Sequence, residues 1–330
     1  MGPSSTTYDF SSTSTEAQTF TGTDGNDTFI GSAGDDTFNG GAGDDALYGH
    51  GGNDTFNITG KSGTFTDTID GGAGTDTLDI DYTGVTDLSD FTFAYDSSTT
   101  ITTLTDANGG IIKYKNIENL SVGDHTYTQV TDNNNNHEQA YWNSTEKVLY
   151  LYNSDTTGAN LSPDLWWVTG SNALAGLAKT DNVTVQGSAG NDTMSLNADR
   201  EDDYSGNWTL NMGAGDDILE TAVLKNGDSI DMGDGDDTVS IIATGSYGTP
   251  TIANLNLTKL DGGAGSDTMS WEESTGVNGQ ELTLTTGGAT NIENLYGTSA
   301  TETIKGDAND NVLKGGLGGT DTIYGYAGND

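Results

Sequence analysis

The feature that most constrains this chain is a nine-residue period shared by glycine, aspartate and apolar residues. Residues 22–57 divide into four consecutive units of nine, which read GTDGNDTFI, GSAGDDTFN, GGAGDDALY and GHGGNDTFN. Glycine occupies the first and fourth positions of each unit, aspartate the sixth, and a large apolar residue the eighth. A strict short period predicts one small structural unit that stacks on copies of itself.

The nine-residue pattern recurs further along the chain. Clear copies begin at Gly71, Gly187 and Gly262, and looser ones begin at Met212 and Met232. The last part of the chain adds copies that begin at Gly297, Gly306, Gly315 and Gly325. The copy at Gly297 carries Glu302 in place of aspartate, and the copy at Gly306 carries Asn309 in place of the fourth glycine. Apolar residues also step by nine outside the clear copies, which predicts that the coil continues there.

Each unit combines a turn with a short strand. Glycines in the first six residues permit the backbone angles of a tight turn. The last three residues alternate polar, apolar and polar, as in a half-buried strand. Two turns and two strands close one coil of about eighteen residues. We therefore expect alternate units to stack, with Asp27 above Asp45 on one edge and Asp36 above Asp54 on the other.

Stacked turns of this kind predict cation sites. Each pair of turns brings together two carboxylates and the backbone carbonyls that the glycine turns leave free. Ca²⁺ takes about 6–8 oxygen ligands in flexible geometry, and an oxygen donor set without histidine or cysteine favours calcium over zinc. The predicted ligands are sixth-position aspartates and fourth-position glycines: Asp27, Asp36, Asp45, Asp54, Asp76, Asp192, Asp217, Asp237, Asp267, Asp321, Gly25, Gly34, Gly43 and Gly52.

These glycine-rich units resemble the nonapeptide G-G-x-G-x-D-x-U-x of the RTX (repeats-in-toxin) family. Four copies in register make the resemblance specific, and the strong match extends over about half the chain. The resemblance implies an all-β fold, a parallel β-roll or β-solenoid with calcium-binding glycine-rich turns. It also implies a secreted protein that leaves a bacterial cell by type I secretion and acts outside the cell or on its surface.

The charge of the chain excludes several partners. Fifty acidic residues against 10 basic ones give a formal net charge of −40, so nucleic acid and anionic membranes are disfavoured. Such a charge opposes compaction unless cations neutralise it. The chain has no cysteine, which excludes disulfides and thiolate metal sites. It contains no apolar run long enough for a membrane-spanning helix, and its first 17 residues lack the features of a cleavable signal.

The distribution of the repeats predicts four segments. A polar arm covers residues 1–19, a first solenoid block 20–130, an aromatic-rich insert or cap 131–180, and a second block 181–330 that stops in mid-repeat, as in a fragment. In the insert, the sequence predicts a strand at 148–152 and a helix at 165–178, which begins after a Ser-Pro-Asp sequence. Its aromatic residues serve either packing or recognition of a partner such as a cell-surface glycan: Tyr141, Trp142, Tyr150, Tyr152, Trp166 and Trp167.

The phrase NIENL occurs twice, at residues 116–120 and 291–295. Each copy follows a stretch of alternating β-formers, at 91–114 and 281–290. The repetition predicts one supersecondary unit used twice: a calcium turn, a wider coil and an NIENL strand.

No catalytic site emerges from the sequence, so we expect a protein that is not an enzyme. His50, His125 and His137 lie in turns or polar loops, and acidic pairs such as Glu272-Glu273 arise readily among so many acids. The favoured function is a secreted calcium-binding structural or adhesive protein that folds on extracellular Ca²⁺ and self-assembles into an oligomer, filament or lattice. Two alternatives are a non-catalytic folding and export tail of a secreted enzyme, and a carbohydrate-binding module centred on the insert.

Overall fold

The computed structural model describes residues 5–11, 15–96, 98–130, 140–151, 160–161, 176–178, 180–195, 206–222, 224–241, 257–271 and 278–330. Within them, regular structure consists of short strands and two single-turn 3-10 helices, Leu88–Asp90 and Thr286–Gly288. The chain divides into two compact units. The first comprises Met1–Val130 and Tyr141–Asn143, and the second comprises Thr131–Ala140 and Ser144–Asp330. Among the described residues, no helix is long and apolar enough to cross a membrane.

Within its described residues, the first unit contains fourteen strands, of which the last lies partly in it. They are β1 (Thr7–Asp9), β2 (Thr19–Thr21), β3 (Thr28–Ile30), β4 (Thr37–Asn39), β5 (Ala46–Tyr48), β6 (Thr55–Thr59), β7 (Thr66–Asp70), β8 (Thr77–Asp81), β9 (Phe91–Asp96), β10 (Ile101–Asp106), β11 (Ile111–Lys115), β12 (Asn119–Val122), β13 (His125–Val130) and β14 (Ala140–Asn143).

Strands of the first unit alternate between two sheets, as the coil predicts. One sheet has the order β1-β3-β5-β7-β11-β10-β9, and the other runs β2-β4-β6-β8-β12-β13-β14. The repeats pair in parallel and in register, so that Phe29 faces Leu47 and Phe38 faces Phe56. The eighth-position side chains fill the space between the sheets. Phe38 lies with its ring centroid 4.7 Å from that of Phe56 and 4.8 Å from that of Phe20, in stacked geometry.

Residues 91–114 depart from the wider coil expected of them. β9, β10 and β11 form an antiparallel meander, and only β11 returns to parallel pairing, with β7. The reversal between β10 and β11 is an Asp106–Gly110 turn in which Gly109 adopts φ +83°. Asp106 Oδ1 accepts hydrogen bonds from the backbone amides of Asn108 (2.7 Å) and Gly110 (2.9 Å). An Asn-Gly pair between two β-rich runs is a hairpin signal, and it outweighs the solenoid pattern here.

The described part of the second unit contains fifteen further strands. They are β15 (Val148–Leu151), β16 (Asn160–Leu161), β17 (Val183–Gln186), β18 (Thr193–Ser195), β19 (Trp208–Asn211), β20 (Ile218–Ala222), β21 (Ser229–Asp231), β22 (Thr238–Ile241), β23 (Lys259–Asp261), β24 (Thr268–Ser270), β25 (Gln280–Thr283), β26 (Asn294–Tyr296), β27 (Glu302–Lys305), β28 (Val312–Lys314) and β29 (Thr322–Tyr324).

Strand pairing in the second unit is parallel throughout the described registers. Its strands follow the orders β15-β17-β19-β21-β23, β16-β18-β20-β22-β24-β26-β28 and β25-β27-β29. Met194, Leu219, Val239 and Met269 lie in one continuous row of paired residues, and each is at most 1% exposed. The predicted β-rich stretch 281–290 is shorter than expected. Strand β25 ends at Thr283, and a turn over Thr286–Gly288 follows, in which Gly287 and Gly288 adopt positive φ.

The aromatic insert lies only partly within the described residues. A strand occupies Val148–Leu151, close to the predicted strand at 148–152. Tyr141 and Trp142 are buried, and the Tyr141 hydroxyl lies 2.8 Å from that of Tyr114, so these two aromatic side chains serve packing. Tyr152, Trp166, Trp167, residues 133–137 and most of the predicted helix at 165–178 lie outside the described residues.

Candidate metal centre

The sixth-position aspartates form continuous columns along the edges of the coils, which we call the inner ladders. Oδ1 of each carboxylate accepts a hydrogen bond from the backbone amide of the sixth-position residue one coil earlier. Asp27 N donates to Asp45 Oδ1 (2.9 Å), and Asp36 N donates to Asp54 Oδ1 (2.7 Å). The predicted stacking of these pairs is therefore confirmed. The bond also explains why aspartate suits this position: its short side chain reaches one coil and stops there.

Inner ladders continue through both units. In the first, Asp45 N bonds Asp67 and Asp54 N bonds Asp76. In the second, the column runs in the order Asp192, Asp217, Asp237 and Asp267, with N–O distances of 2.7, 2.7 and 2.9 Å. Near the end of the chain, Glu302 N bonds Asp321 Oδ1 at 3.0 Å, so Glu302 occupies an aspartate's place in the backbone pattern.

The fifth-position Asn and Asp side chains form a second set of ladders, which the sequence analysis did not predict. The fifth-position side chain accepts from the backbone amide one coil later, which is the opposite direction to the inner ladder. Asp35 Oδ1 accepts from Asn53 N (2.7 Å), and Asn53 Oδ1 accepts from Thr75 N (2.9 Å). These outer ladders are exposed, unlike the inner ones. Their signal was present in the sequence, because the fifth position is Asn or Asp in most copies.

Each nine-residue repeat forms one turn around its sixth-position aspartate, which we call a corner. The second residue of the repeat divides these corners into two classes. When it is serine or threonine, its amide donates to Oδ2 of the unit's own aspartate, as from Thr23 to Asp27 (2.6 Å), Ser32 to Asp36 (2.6 Å) and Ser188 to Asp192 (2.7 Å). The hydroxyl also accepts from the fourth-position amide, for example Gly34 N to Ser32 Oγ at 3.1 Å. Both oxygens of these carboxylates are thus engaged. We call these corners self-capped.

At five other corners among the described residues, the second residue has positive φ and its amide donates no hydrogen bond to the carboxylate. The second residues are His50 (φ 78°), Gly72 (98°), Gly213 (108°), Gly233 (102°) and Gly263 (107°). Within the described part of the chain, Oδ2 of the matching aspartates is buried and lacks a hydrogen-bond partner: Asp54, Asp76, Asp217, Asp237 and Asp267. We call these corners open.

Burial of the open carboxylates changes their acidity. Burial, together with repulsion from the neighbouring Asp192 and Asp237 carboxylates, raises the pKa of Asp217 to about 8. Burial likewise raises the pKa of Asp54 to about 7, with Asp76 and Asp36 contributing repulsion. The pKa values of Asp76, Asp237 and Asp267 are each raised to about 6, again mainly by burial. An anion held in such surroundings needs a nearby positive charge.

The residues of the open corners fit calcium. A buried carboxylate oxygen without a partner calls for a cation, and the coil supplies several of them in one column. The donors are carboxylate and backbone oxygens, which Ca²⁺ prefers over the nitrogen and sulfur donors that suit zinc. Asp54, Asp76, Asp217, Asp237 and Asp267 would hold the ion, with carbonyl oxygens of the glycine turns beside them.

Glycine serves two different purposes in these turns. At the first position it provides space: a Cβ on Gly31 would lie 2.5 Å from Asp36 Oδ2 and 2.6 Å from the carbonyl oxygen of Gly49. The unusual backbone angles that glycine permits are not used at this position, since Gly31 has no positive φ. At the fourth position, Gly43 and Gly52 do adopt positive φ (100° and 108°) and stack on the carbonyl oxygens of Gly25 and Gly34. Substitution at Gly52 is hindered by both factors.

Both NIENL phrases end an inner ladder without an aspartate. Glu118 Oε2 accepts from Asp76 N (2.7 Å), and Glu293 Oε2 accepts from Asp267 N (2.8 Å). The first Asn of each phrase adopts a left-handed conformation, with φ 53° at Asn116 and 52° at Asn291. The two phrases therefore perform one shared task, which is to close the column of amides. The strands themselves begin later than predicted, at Asn119 and Asn294.

The remaining candidates form no catalytic constellation among the described residues. His50 serves as a second-position turn residue with positive φ. His125 begins β13 and lies 6.4 Å, between ring centroids, from Tyr127. His137 and Glu272-Glu273 lie outside the described residues.

The fold and these corners define a parallel β-solenoid of the calcium-binding β-roll class. The sequence profile of the RTX calcium-binding nonapeptide repeat matches in 4 copies, at residues 21–56, 61–79, 177–200 and 296–330. These segments carry RTX nonapeptide repeats of the β-roll type, as the sequence predicts, and such repeats are calcium-binding motifs. Asp217, Asp237 and Asp267 lie outside the matched segments, but they continue the column that begins at Asp192.

Comparison with other proteins adds little beyond the repeats. No curated protein matches the chain. The crystal structure of the extracellular lipase LipA from Serratia marcescens is similar at 18% sequence identity and a TM-score of 0.26. The match covers 88% of this chain and 32% of the lipase chain, so this chain spans about a third of that protein's length.

Proposed function

We propose that this chain is a secreted calcium-binding structural protein whose coils become stable when Ca²⁺ enters the open corners. The observation that carries the proposal is the set of buried, unpartnered Oδ2 atoms of Asp54, Asp76, Asp217, Asp237 and Asp267. No basic side chain is placed on these five oxygens within the described residues. A cation from solution is therefore the natural partner for a chain whose net charge is −40.

Calcium supplies folding energy because it binds the coiled state and not the open chain. Extracellular modules bind calcium with dissociation constants of about 10⁻⁴–10⁻³ M. A site at tenfold excess of ligand over its dissociation constant adds about 1.4 kcal/mol of stability. Several such sites add up to the whole stability of an ordinary domain, about 5–15 kcal/mol. Low calcium inside the cell would keep the chain unfolded for export, and external calcium would fold it.

The test is circular dichroism of the full chain in chelator, followed by titration to millimolar CaCl₂. We expect the strand signal to appear with calcium and not with the same concentration of MgCl₂, because Mg²⁺ demands a tighter octahedron. A strand signal that is identical in chelator and in calcium would remove the proposal. Isothermal titration in the same buffers separates binding without folding from the absence of binding.

We further propose that the folded chain acts as a surface or adhesive element that associates with copies of itself. Support comes from the net charge of −40, because divalent calcium shared between the carboxylates of two copies offsets their repulsion. Electron microscopy and light scattering in calcium test this role. Monomers at all concentrations would contradict it.

Binding of a cell-surface glycan remains a prediction for the aromatic insert. Its candidate anchors, Trp166 and Trp167, lie outside the described residues. Glycan-array binding that is lost in Trp166→Ala or Trp167→Ala, with an unchanged calcium titration, supports the prediction. The absence of any glycan signal from the folded wild type counts against it.

A further inference from the structure

One corner of the first unit already contains a positive charge. Lys61 is only 4% exposed, and its ammonium group makes three contacts of 2.9 Å. It donates to Asp45 Oδ2, to Asp67 Oδ1 and to the carbonyl oxygen of Gly43. It also lies 2.9 Å from Asp67 Oδ2, an ion-pair contact, although this oxygen accepts no hydrogen bond within the described residues. A lysine ammonium has three donors, and all three have partners here.

The ammonium lies between two carboxylates of one inner ladder. Asp45 and Asp67 are successive members of one inner ladder. In the nine-residue repeat that contains Asp45, the second residue is Gly41, with φ 92°. This repeat therefore has the backbone of an open corner. In the other inner ladder of the first compact unit, the equivalent oxygen, Asp54 Oδ2, has no hydrogen-bond partner within the described residues. Lys61 therefore provides Asp45 Oδ2 with a positively charged hydrogen-bond donor, which Asp54 Oδ2 lacks.

We propose that Lys61 is a built-in cation for the corner between Asp45 and Asp67, and that this corner takes no calcium. The inference rests on the proposed function, in which the open corners bind Ca²⁺. A calcium ion needs carboxylate oxygens at about 2.3–2.6 Å, and the ammonium occupies the space between those oxygens. A divalent ion a few ångströms away would also be repelled by the ammonium charge.

The local sequence and packing hold the lysine in this place. The unit that contains Asp67 reads GKSGTFTD, which is two residues longer than the usual turn, and Lys61 stands second in it. The Lys61 ammonium lies 5.1 Å from the ring centroid of Phe65, a favourable distance for a cation–π contact. Burial raises the pKa of Asp67 to about 6, and the Lys61 charge opposes that rise. The wider turn thus provides both the charge and its apolar wall.

The test is the number of calcium ions bound by the full chain, measured by equilibrium dialysis and elemental analysis. Lys61→Ala opens the corner, so we expect this variant to bind one more calcium per chain than the wild type. Lys61→Met fills the space without charge, so its count should equal that of the wild type. Lys113→Ala removes an exposed lysine and serves as the matched control.

The outcomes separate this inference from the proposed function. Equal counts in wild type and Lys61→Ala overturn the inference, and so does a gain in Lys61→Met as large as in Lys61→Ala. A wild type that binds no calcium defeats the proposed function, while the difference between variant and wild type still decides the role of Lys61.

A second measurement covers the case in which Lys61→Ala fails to fold. Acetylation of the calcium-loaded wild type by a water-soluble ester is followed at each lysine by mass spectrometry. A buried, fully bonded ammonium should react at least about tenfold more slowly than the exposed Lys113, because acylation requires a free neutral amine. Equal rates at Lys61 and Lys113 would overturn the inference.

Discussion

The two units solve the same electrostatic problem in different ways. In the second unit, Asp217, Asp237 and Asp267 follow one another in a single ladder, and each has an unpartnered buried oxygen within the described residues. In the first unit, one ladder has open corners at Asp54 and Asp76, whereas the other is neutralised by Lys61. The comparison teaches that a ladder needs positive charge at its corners, whether from solution or from the chain itself.

Removal of calcium should have the largest effect, and it should affect the units unequally. With chelator, we expect rapid proteolysis of residues 206–271, because three consecutive open carboxylates then repel one another. The segment around Lys61 should be cut more slowly. Limited proteolysis followed by mass spectrometry measures both rates, with a calcium-loaded sample as control. Equal cleavage of the two units would break the comparison.

A matched pair of substitutions distinguishes the two corner classes. Asp217→Asn removes the charge of an open corner, and we expect the calcium midpoint of folding to rise about tenfold, which corresponds to about 1.4 kcal/mol. Asp192→Asn alters a self-capped corner of the same ladder, where Oδ2 already accepts from Ser188 N, and should shift the midpoint much less. Calcium titrations by circular dichroism compare them. A larger shift for Asp192→Asn would show that the corner classes have been assigned the wrong way round.

The pH dependence sharpens the same distinction. In the calcium-free coil, burial raises the pKa values of Asp217, Asp54 and Asp76 to about 8, 7 and 6, well above the unfolded value of about 3.9. The folded state then binds more protons than the unfolded state, so its stability decreases as pH rises through 6 to 8.

We therefore expect the chain in chelator to gain strand signal between pH 8 and pH 5.5. Calcium binding near pH 7 should release protons, which titration calorimetry in buffers of different ionisation enthalpy detects. A calcium-free chain whose strand signal is unchanged over this range, with no proton release, contradicts the prediction.

A more local effect is expected where an NIENL phrase closes a ladder. Glu118→Ala leaves the amide of Asp76 without its acceptor, which costs about 1–3 kcal/mol for a buried donor. Glu118→Gln keeps an acceptor oxygen and should lose much less. Thermal unfolding in saturating calcium measures both variants. Equal stability of Glu118→Ala and wild type would remove the capping role.

The sequence alone predicts the coil, the stacking of Asp27 on Asp45 and the calcium class, because each follows from a strict period. It does not predict that Ser32 closes its corner while His50 leaves one open. That difference depends on backbone φ at the second position, and residues other than glycine adopt the left-handed region only in a few per cent of cases. The role of Lys61 was also invisible, because the longer turn around it breaks the nine-residue period.

Successive members of an inner ladder are always one coil apart, but the number of residues between them varies. Successive partners are 18 residues apart from Asp27 to Asp45, 22 from Asp45 to Asp67, 25 from Asp192 to Asp217 and 30 from Asp237 to Asp267. The vertical spacing of the corners is thus independent of the length of chain that joins them. Such a scaffold can accept foreign peptides in the segments that join successive coils. The position of a grafted epitope along the stack would then be set by the coil after which it is inserted.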